Sequence, residues 1–381
     1  MRKITGKDRR KEIALSIVAT IGSLLIAYLI YSQFYYHQRI CKEHPFDPYL
    51  QIPSLVLDRA SMDKAQGVFR ILCLGGSTTL DFNKPKEKSW PFLLQNSLQK
   101  KYPQAKVEII NAGMPWYTTK HSLINYVTYY RDWHPDLVLV MHGINDLYRS
   151  FSPEAFAIGP YNDRWAHFYG PAIEGAKRPQ TLEQFLYLHF LIYGEKLSGL
   201  LSRVGVTIPV ANGLPQKETD FPMERYCSLD MFKRHLALLT RYARFDKAEV
   251  ILMTEPYLCK PVMSQEERRA SWFGQAFCVA RVSQGGSESY EYASPGSLSS
   301  AMELFNKTTK EIAREEGVFL IDAANHIAKD LDHFSDDVHF KEAGSRALAE
   351  LVAEDIVSRN LIEQKISERW SERLKGDGKI R

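Results

Sequence analysis

Val68-Phe69-Arg70-Ile71-Leu72-Cys73-Leu74-Gly75-Gly76-Ser77-Thr78-Thr79 reads as a buried strand running straight into a turn of small residues that carries a serine hydroxyl. Its apolar residues are nearly continuous instead of alternating, which is what a strand covered on both faces requires. Similar runs recur at 107–110, 137–141, 249–254 and 318–321. Between them, apolar residues at helical spacing predict helices over 90–101, 118–130, 229–242, 300–316 and 341–356. Strands alternating with helices predict an α/β fold, a three-layer α/β/α domain around a central, mostly parallel five-stranded sheet of flavodoxin-like type. Such sheets collect functional groups at the carboxyl ends of their strands.

Four short islands are placed in step with these elements, the first three each just past an apolar run and the fourth opening the last amphipathic stretch: Gly75-Gly76-Ser77-Thr78-Thr79, Asn111-Ala112-Gly113, Gly143-Ile144-Asn145-Asp146 and Asp336-Asp337-Val338-His339. Each is weak alone. A serine hydroxyl needs a base within hydrogen-bond reach, itself oriented by a third group. Ser77 supplies the hydroxyl, His339 the base, and Asp336, three residues before it, the orienting carboxylate. Gly75 and Gly76 are expected to permit a tight turn that lifts Ser77 to the mouth of the sheet. Negative charge building on a carbonyl oxygen needs donors already in place. The Gly113 amide and the Asn145 side-chain NH2 are the candidate oxyanion hole, the latter a donor at every relevant pH. Bland readings stand beside each: a helix cap for Ser77, a turn glycine for Gly113, an Asx turn or cap for Asn145 with Asp146 competing. Asp332, His333 and Asp337 read as solvated loop residues.

Charge and hydropathy bound the rest. The 381 residues carry a formal net charge of +4, and much of the excess lies at the ends, Arg2 to Lys11 and Arg369 to Arg381. No basic block occupies the middle of the chain, so nucleic acid is not an expected partner. Residues 13–36 (IALSIVATIGSLLIAYLIYSQFYY) hold no charge, and such a run is long enough to cross a hydrocarbon core of roughly 30 Å as a helix. The aromatic end of the run suits a membrane interface better than a cleavage site. The expected organisation is a cytoplasmic basic segment (1–12), a transmembrane signal anchor (13–36), a connector (37–66), a catalytic domain (67–360) and a basic tail (361–381). The flanking cations place the N-terminus in the cytoplasm and the domain outside, periplasmic or at the cell surface. Insertions at about 147–226 and 256–299 carry many aromatics, packing residues or a wall for sugar or lipid. Cys73 reads as core. Of the other cysteines, Cys259 and Cys278 are the favoured pair if a disulfide forms. No clustered Cys or His spacing calls for a metal or cofactor.

With these motifs in this order, residues 68–357 resemble the SGNH (GDSL-like) hydrolase family. The resemblance implies a nucleophilic Ser77, oxyanion donors at Gly113 and Asn145, and a C-terminal Asp336 and His339. The family's Gly-Asp-Ser-Leu block reads Gly75-Gly76-Ser77-Thr78 here, a departure that removes no catalytic group. The implied activity is that of a serine esterase releasing acyl groups, acetyl foremost, from a cell-surface or exported glycan. A lysophospholipid or thioester substrate, and transfer of the acyl group to a sugar hydroxyl, share the same acyl-serine. A non-enzymatic surface binding module gives no reason for the five residues to fall where they do.

Overall fold

The computed structural model describes residues 64–150 except 82 and 116, then 216–220, 226, 228–271, 280–284 and 287–367, with scattered helical positions between 16 and 31. Five strands form the central sheet: β1 (Val68–Gly75), β2 (Lys106–Asn111), β3 (Leu137–Met141), β5 (Glu249–Met253) and β8 (Phe319–Ile321). Their spatial order is β2-β1-β3-β5-β8, and every neighbouring pair is parallel. A second sheet contains β4 (Gln216–Thr219), β6 (Ala280–Gln284) and β7 (Ser287–Ala293) in the order β4-β7-β6. It was not legible as strands in the sequence.

The apolar runs are split by the period-two alternation of a strand. Leu72, Leu74, Val138, Val140, Val250 and Leu252 point to one face, against α3 (Thr119–Thr128), α5 (Leu229–Phe245) and α7 (Pro295–Glu316). Phe69, Ile71, Cys73, Leu139, Met141 and Ile251 point to the other, against α2 (Trp90–Lys101) and α9 (Glu342–Ser358). Shorter α-helices are α1 (Ser77–Leu80), α4 (Ile144–Arg149), α6 (Gln265–Ala270) and α8 (Ala323–His326). The exception inside β1 is Arg70, which is buried and satisfied by Glu108 Oε2 at 2.7 Å and the Trp133 carbonyl at 2.5 Å.

The folded unit exceeds the expected limits at its end. Leu361 and Ile362 are buried in the α2/α9 core, so residues just past 360 belong to the domain and not to a tail. Lys64 is already tied to the His134 carbonyl at 2.9 Å and to Asp136. The insertion at 147–226 and Cys41, Cys227 and Cys278 lie largely or wholly outside the described residues. Cys259 is described, and it is a free, buried thiol and not half of a bridge. Among the described residues no helix is long and apolar enough to cross a membrane; most of 13–36 lies outside them.

Trp90 is fully buried at the start of α2, and its indole N–H donates to the Thr78 carbonyl at 3.1 Å. Trp90→Ala is expected to cost about 3–5 kcal/mol of unfolding free energy in a denaturant titration, from lost burial and the cavity left behind.

Candidate active site

Ser77 opens α1 directly past β1. Neither Gly75 nor Gly76 adopts a positive φ, so the expected conformational role of this pair is replaced by a spatial one. A Cβ on Gly75 would run into the Thr79 hydroxyl and the Met141 carbonyl, and one on Gly76 would lie 2.5 Å from Asn145 Nδ2. The turn is closed by Asp81, in the left-handed region at φ 59°. Its Oδ2 accepts from the Trp90 amide at 3.0 Å and the Ser345 hydroxyl at 2.6 Å, while Lys84 bonds Oδ1. These bonds fasten the serine turn to α2 and α9 at once.

Asp336 and His339 share a loop pinched at its base by Phe334 and Phe340, both fully buried and joined by an antiparallel bridge. His339 Nδ1 lies 2.8 Å from Asp336 Oδ2, and His339 Nε2 lies 2.8 Å from Ser77 Oγ. With the carboxylate accepting from Nδ1–H, the Nε2 lone pair faces the serine hydroxyl. Asp336 Oδ1 accepts from the amides of Val338 (3.0 Å) and His339 (2.9 Å). Burial works to raise the Asp336 pKa, but the His339 hydrogen bond and charge, with the two amides, outweigh it and the net shift is downward. The carboxylate beside the ring is therefore held ionised. Asp337, read from sequence as solvated, is instead buried. It accepts from Ser271 and, at 3.5 Å, from the Cys259 thiol. Asp332 is exposed, and His333 pairs with Asp330 at 2.7 Å.

Asn145, the second residue of α4, is buried beside this turn, with Nδ2 donating to the Tyr117 carbonyl at 2.9 Å. That uses one of its two amide hydrogens. Asp146 accepts from the Thr119 amide and hydroxyl, so it caps α3 and takes no part in the relay. His142 is buried and bonded to Ser122 at 2.8 Å. Burial lowers its pKa to about 3, against the opposing pull of the Tyr117 carbonyl. Gly113 lies against the serine turn. Its amide donates to Asn111 Oδ1 at 3.0 Å, and the missing side chain makes room for the backbone of Thr79 and Leu80.

Two groups escaped the sequence reading. The Ser77 amide heads α1 and makes no hydrogen bond to the described residues, an orphan donor of the kind a helix start leaves. Glu255, two residues past β5, is 2% exposed. Its Oε1 accepts from the Thr78 hydroxyl and its Oε2 from the Ile144 amide, each at 2.7 Å. Burial pushes its pKa up to about 7, restrained by the Ile144 amide, the Thr78 hydroxyl and the charge on His339. Its only sequence signal is an acidic residue just past an apolar strand. Among the described residues no group of three His, Cys, Asp or Glu side chains is arranged to hold a metal ion.

The GDSL-like Lipase/Acylhydrolase family matches residues 73–347, and the chain belongs to it. An arylesterase of Vibrio mimicus is 33% identical over 105 residues, 28% of this chain and 52% of that protein. The chain thus spans about half the length of this curated relative. Among solved structures, Axe2, an acetylxylan esterase from Geobacillus stearothermophilus, is 17% identical, covering 75% of this chain and 93% of its own, with a TM-score of 0.41. LAE5, an alpha/beta hydrolase enzyme from the metagenome of Lake Arreo, Spain, is 14% identical, covering 79% and 98%, with a TM-score of 0.42.

Because the pKa of Glu255 is raised in the folded protein, the native state holds that proton more tightly than the unfolded chain does. Its stabilising contribution is complete below the ordinary carboxylate value of 4.5 and is lost as pH rises through about 7. Glu255→Gln is expected to gain stability relative to the parent between pH 4 and pH 8, read as a widening gap between their melting temperatures. An unchanging gap would contradict a buried, titrating carboxyl.

Proposed function

We propose that this protein is a membrane-anchored serine esterase, working outside the cytoplasm, that removes acyl groups, acetyl foremost, from a glycan or related ester. The observation that carries the reading is the unbroken relay from Asp336 through His339 to Ser77 Oγ, with both links at 2.8 Å. Ser77 Oγ attacks the ester carbonyl carbon as His339 Nε2 takes its proton, and Asp336 stabilises the imidazolium that forms. The resulting oxyanion is met by the free hydrogen of Asn145 Nδ2 and by the Ser77 amide. Gly113 joins them by sharing its amide between Asn111 and the oxyanion. The tetrahedral species collapses, His339 protonates the departing alkoxide, and a water activated by the same ring hydrolyses the acyl-serine. The family and the arylesterase relative favour ester hydrolysis as the net reaction.

Anchoring is supported by the uncharged stretch at 13–36 behind six cationic residues. The described positions from Ser16 to Tyr31 are helical, with Ile26, Tyr28, Ile30 and Tyr31 exposed. The positive flank favours a cytoplasmic N-terminus and an extracytoplasmic domain. The placement of the chain ends bears on substrate. Lys64 bonds the loop before β3, and Lys365 Nζ bonds the Lys247 carbonyl before β5 at 3.0 Å, so both ends of the described fold lie at the amino edge of the sheet. Ser77 lies at the opposite edge, past a strand of eight residues, about 25 Å at the usual strand rise. A site facing away from its tether suits a polymer approaching from the aqueous side better than a lipid of the same bilayer.

A fluorophosphonate probe is expected to label Ser77, and the labelled full-length protein to stay with membranes after an alkaline wash. Ser77→Ala should lose labelling and lower kcat on p-nitrophenyl acetate by at least about 10³-fold. Full activity in that variant excludes the mechanism, and preference for long-chain over acetyl esters excludes the glycan reading. Asn145→Ala is expected to lower kcat by about 10²-fold or more with little change in KM, since its donor acts on charge that develops only in the transition state.

A further inference from the structure

The relay needs a nucleophile, a base, an orienting carboxylate and neutral donors. Glu255 is none of these, yet it is the buried group that touches both turns on which they depend. Oε1 holds the hydroxyl of Thr78, the residue after Ser77, and Oε2 holds the amide of Ile144, the residue before Asn145. The backbone that carries this carboxyl is fixed from behind. Asn306 of α7 accepts from the Glu255 amide at 2.8 Å and donates to its carbonyl at 3.0 Å, closing a paired contact.

Space has been left for it as well. Gly143 precedes Ile144, and a Cβ there would stand 3.0 Å from Oε2 and 3.4 Å from Met302 Cε. The amide that Glu255 satisfies is the first of α4, and Gly143 offers no side-chain cap of its own. An unanswered buried amide at that point would leave the Asn145 turn free to shift.

We infer that Glu255 is a positioning residue: its two carboxyl oxygens fix the separation between the serine turn and the asparagine turn, and so set the oxyanion site. This inference rests on the esterase reading above. A strut of this kind acts on transition-state geometry while leaving the substrate-binding surface in place, so its loss falls on kcat. Glutamine is the telling replacement. Its Oε1 can accept from the Ile144 amide and its Nε2 can donate to the Thr78 hydroxyl, keeping the strut without the charge. Alanine removes both links.

The test compares steady-state p-nitrophenyl acetate hydrolysis by the full-length protein with Glu255→Ala, Glu255→Gln and Thr78→Val, each checked for a cooperative melt. Glu255→Ala is expected to lower kcat about 30- to 100-fold with KM within about twofold, the scale of a misplacement of about 1 Å. Glu255→Gln should recover to within about fivefold of the parent, and Thr78→Val, losing one link, should fall between. Fluorophosphonate labelling of Ser77 should slow in the same order. Folded Glu255→Ala with kcat within threefold of the parent overturns the inference, as does equal impairment of the Gln and Ala variants. Should the alanine variant not fold, parental kcat in Thr78→Val overturns it. A parent that hydrolyses no ester and takes no label at Ser77 defeats the esterase reading itself, a result distinct from an active parent indifferent to Glu255.

Discussion

The contact between Ser77 Oγ and His339 Nε2, 2.8 Å long, joins residues 262 positions apart, and the rest of the molecule is arranged so that it forms. One partner is delivered by the first strand of the sheet, the other by a loop after the last. Parallel strands make this possible because every carboxyl end lies on the same edge. The contact is backed by a second one: Asp81, four residues past Ser77, bonds Ser345 on the helix that follows the His339 loop. The two distant segments are thus fastened directly beside the reacting atoms, and thermal drift of one carries the other with it.

Besides Asp81, further carboxyls crowd this edge, and their surroundings assign them different work. Asp336 is held ionised beside the imidazole. Asp146 is consumed in capping α3, and Asp337 in holding Ser271 and Cys259. Glu255 is driven toward neutrality by burial, yet lies within reach of the charge on His339. A carboxyl titrating near neutral pH beneath the Ser77–His339 contact links the fold's stability to that pH range.

Much of this was legible in the sequence because the signals were local. The five apolar runs became the five central strands, and α2 was bounded correctly by the spacing from Trp90 to Lys101. Ser77 and Asn145 were readable because each sits just past a strand that periodicity reveals, and Asp336 and His339 because they stand just ahead of the closing helix. The misses share another cause, dependence on contacts far along the chain. Glu255 gains meaning only once Thr78 and Ile144 are folded over it. Asp337 looked like a loop carboxylate until Ser271 and Cys259 closed around it. The room that Gly113 leaves for the backbone of Thr79 and Leu80 likewise shows only once the serine turn lies against it. The strands β4, β6 and β7 are largely polar, with no apolar run to announce them.

The central claim is that Ser77 becomes covalently acylated. Rapid mixing of the protein with p-nitrophenyl acetate, acid quenching and mass analysis of the digested chain tests it most directly. The peptide containing Ser77 is predicted to gain the mass of one acetyl group during the p-nitrophenol burst and to lose it as substrate is exhausted. Turnover with no adduct on Ser77, or with the acetyl group on another residue, would contradict the account.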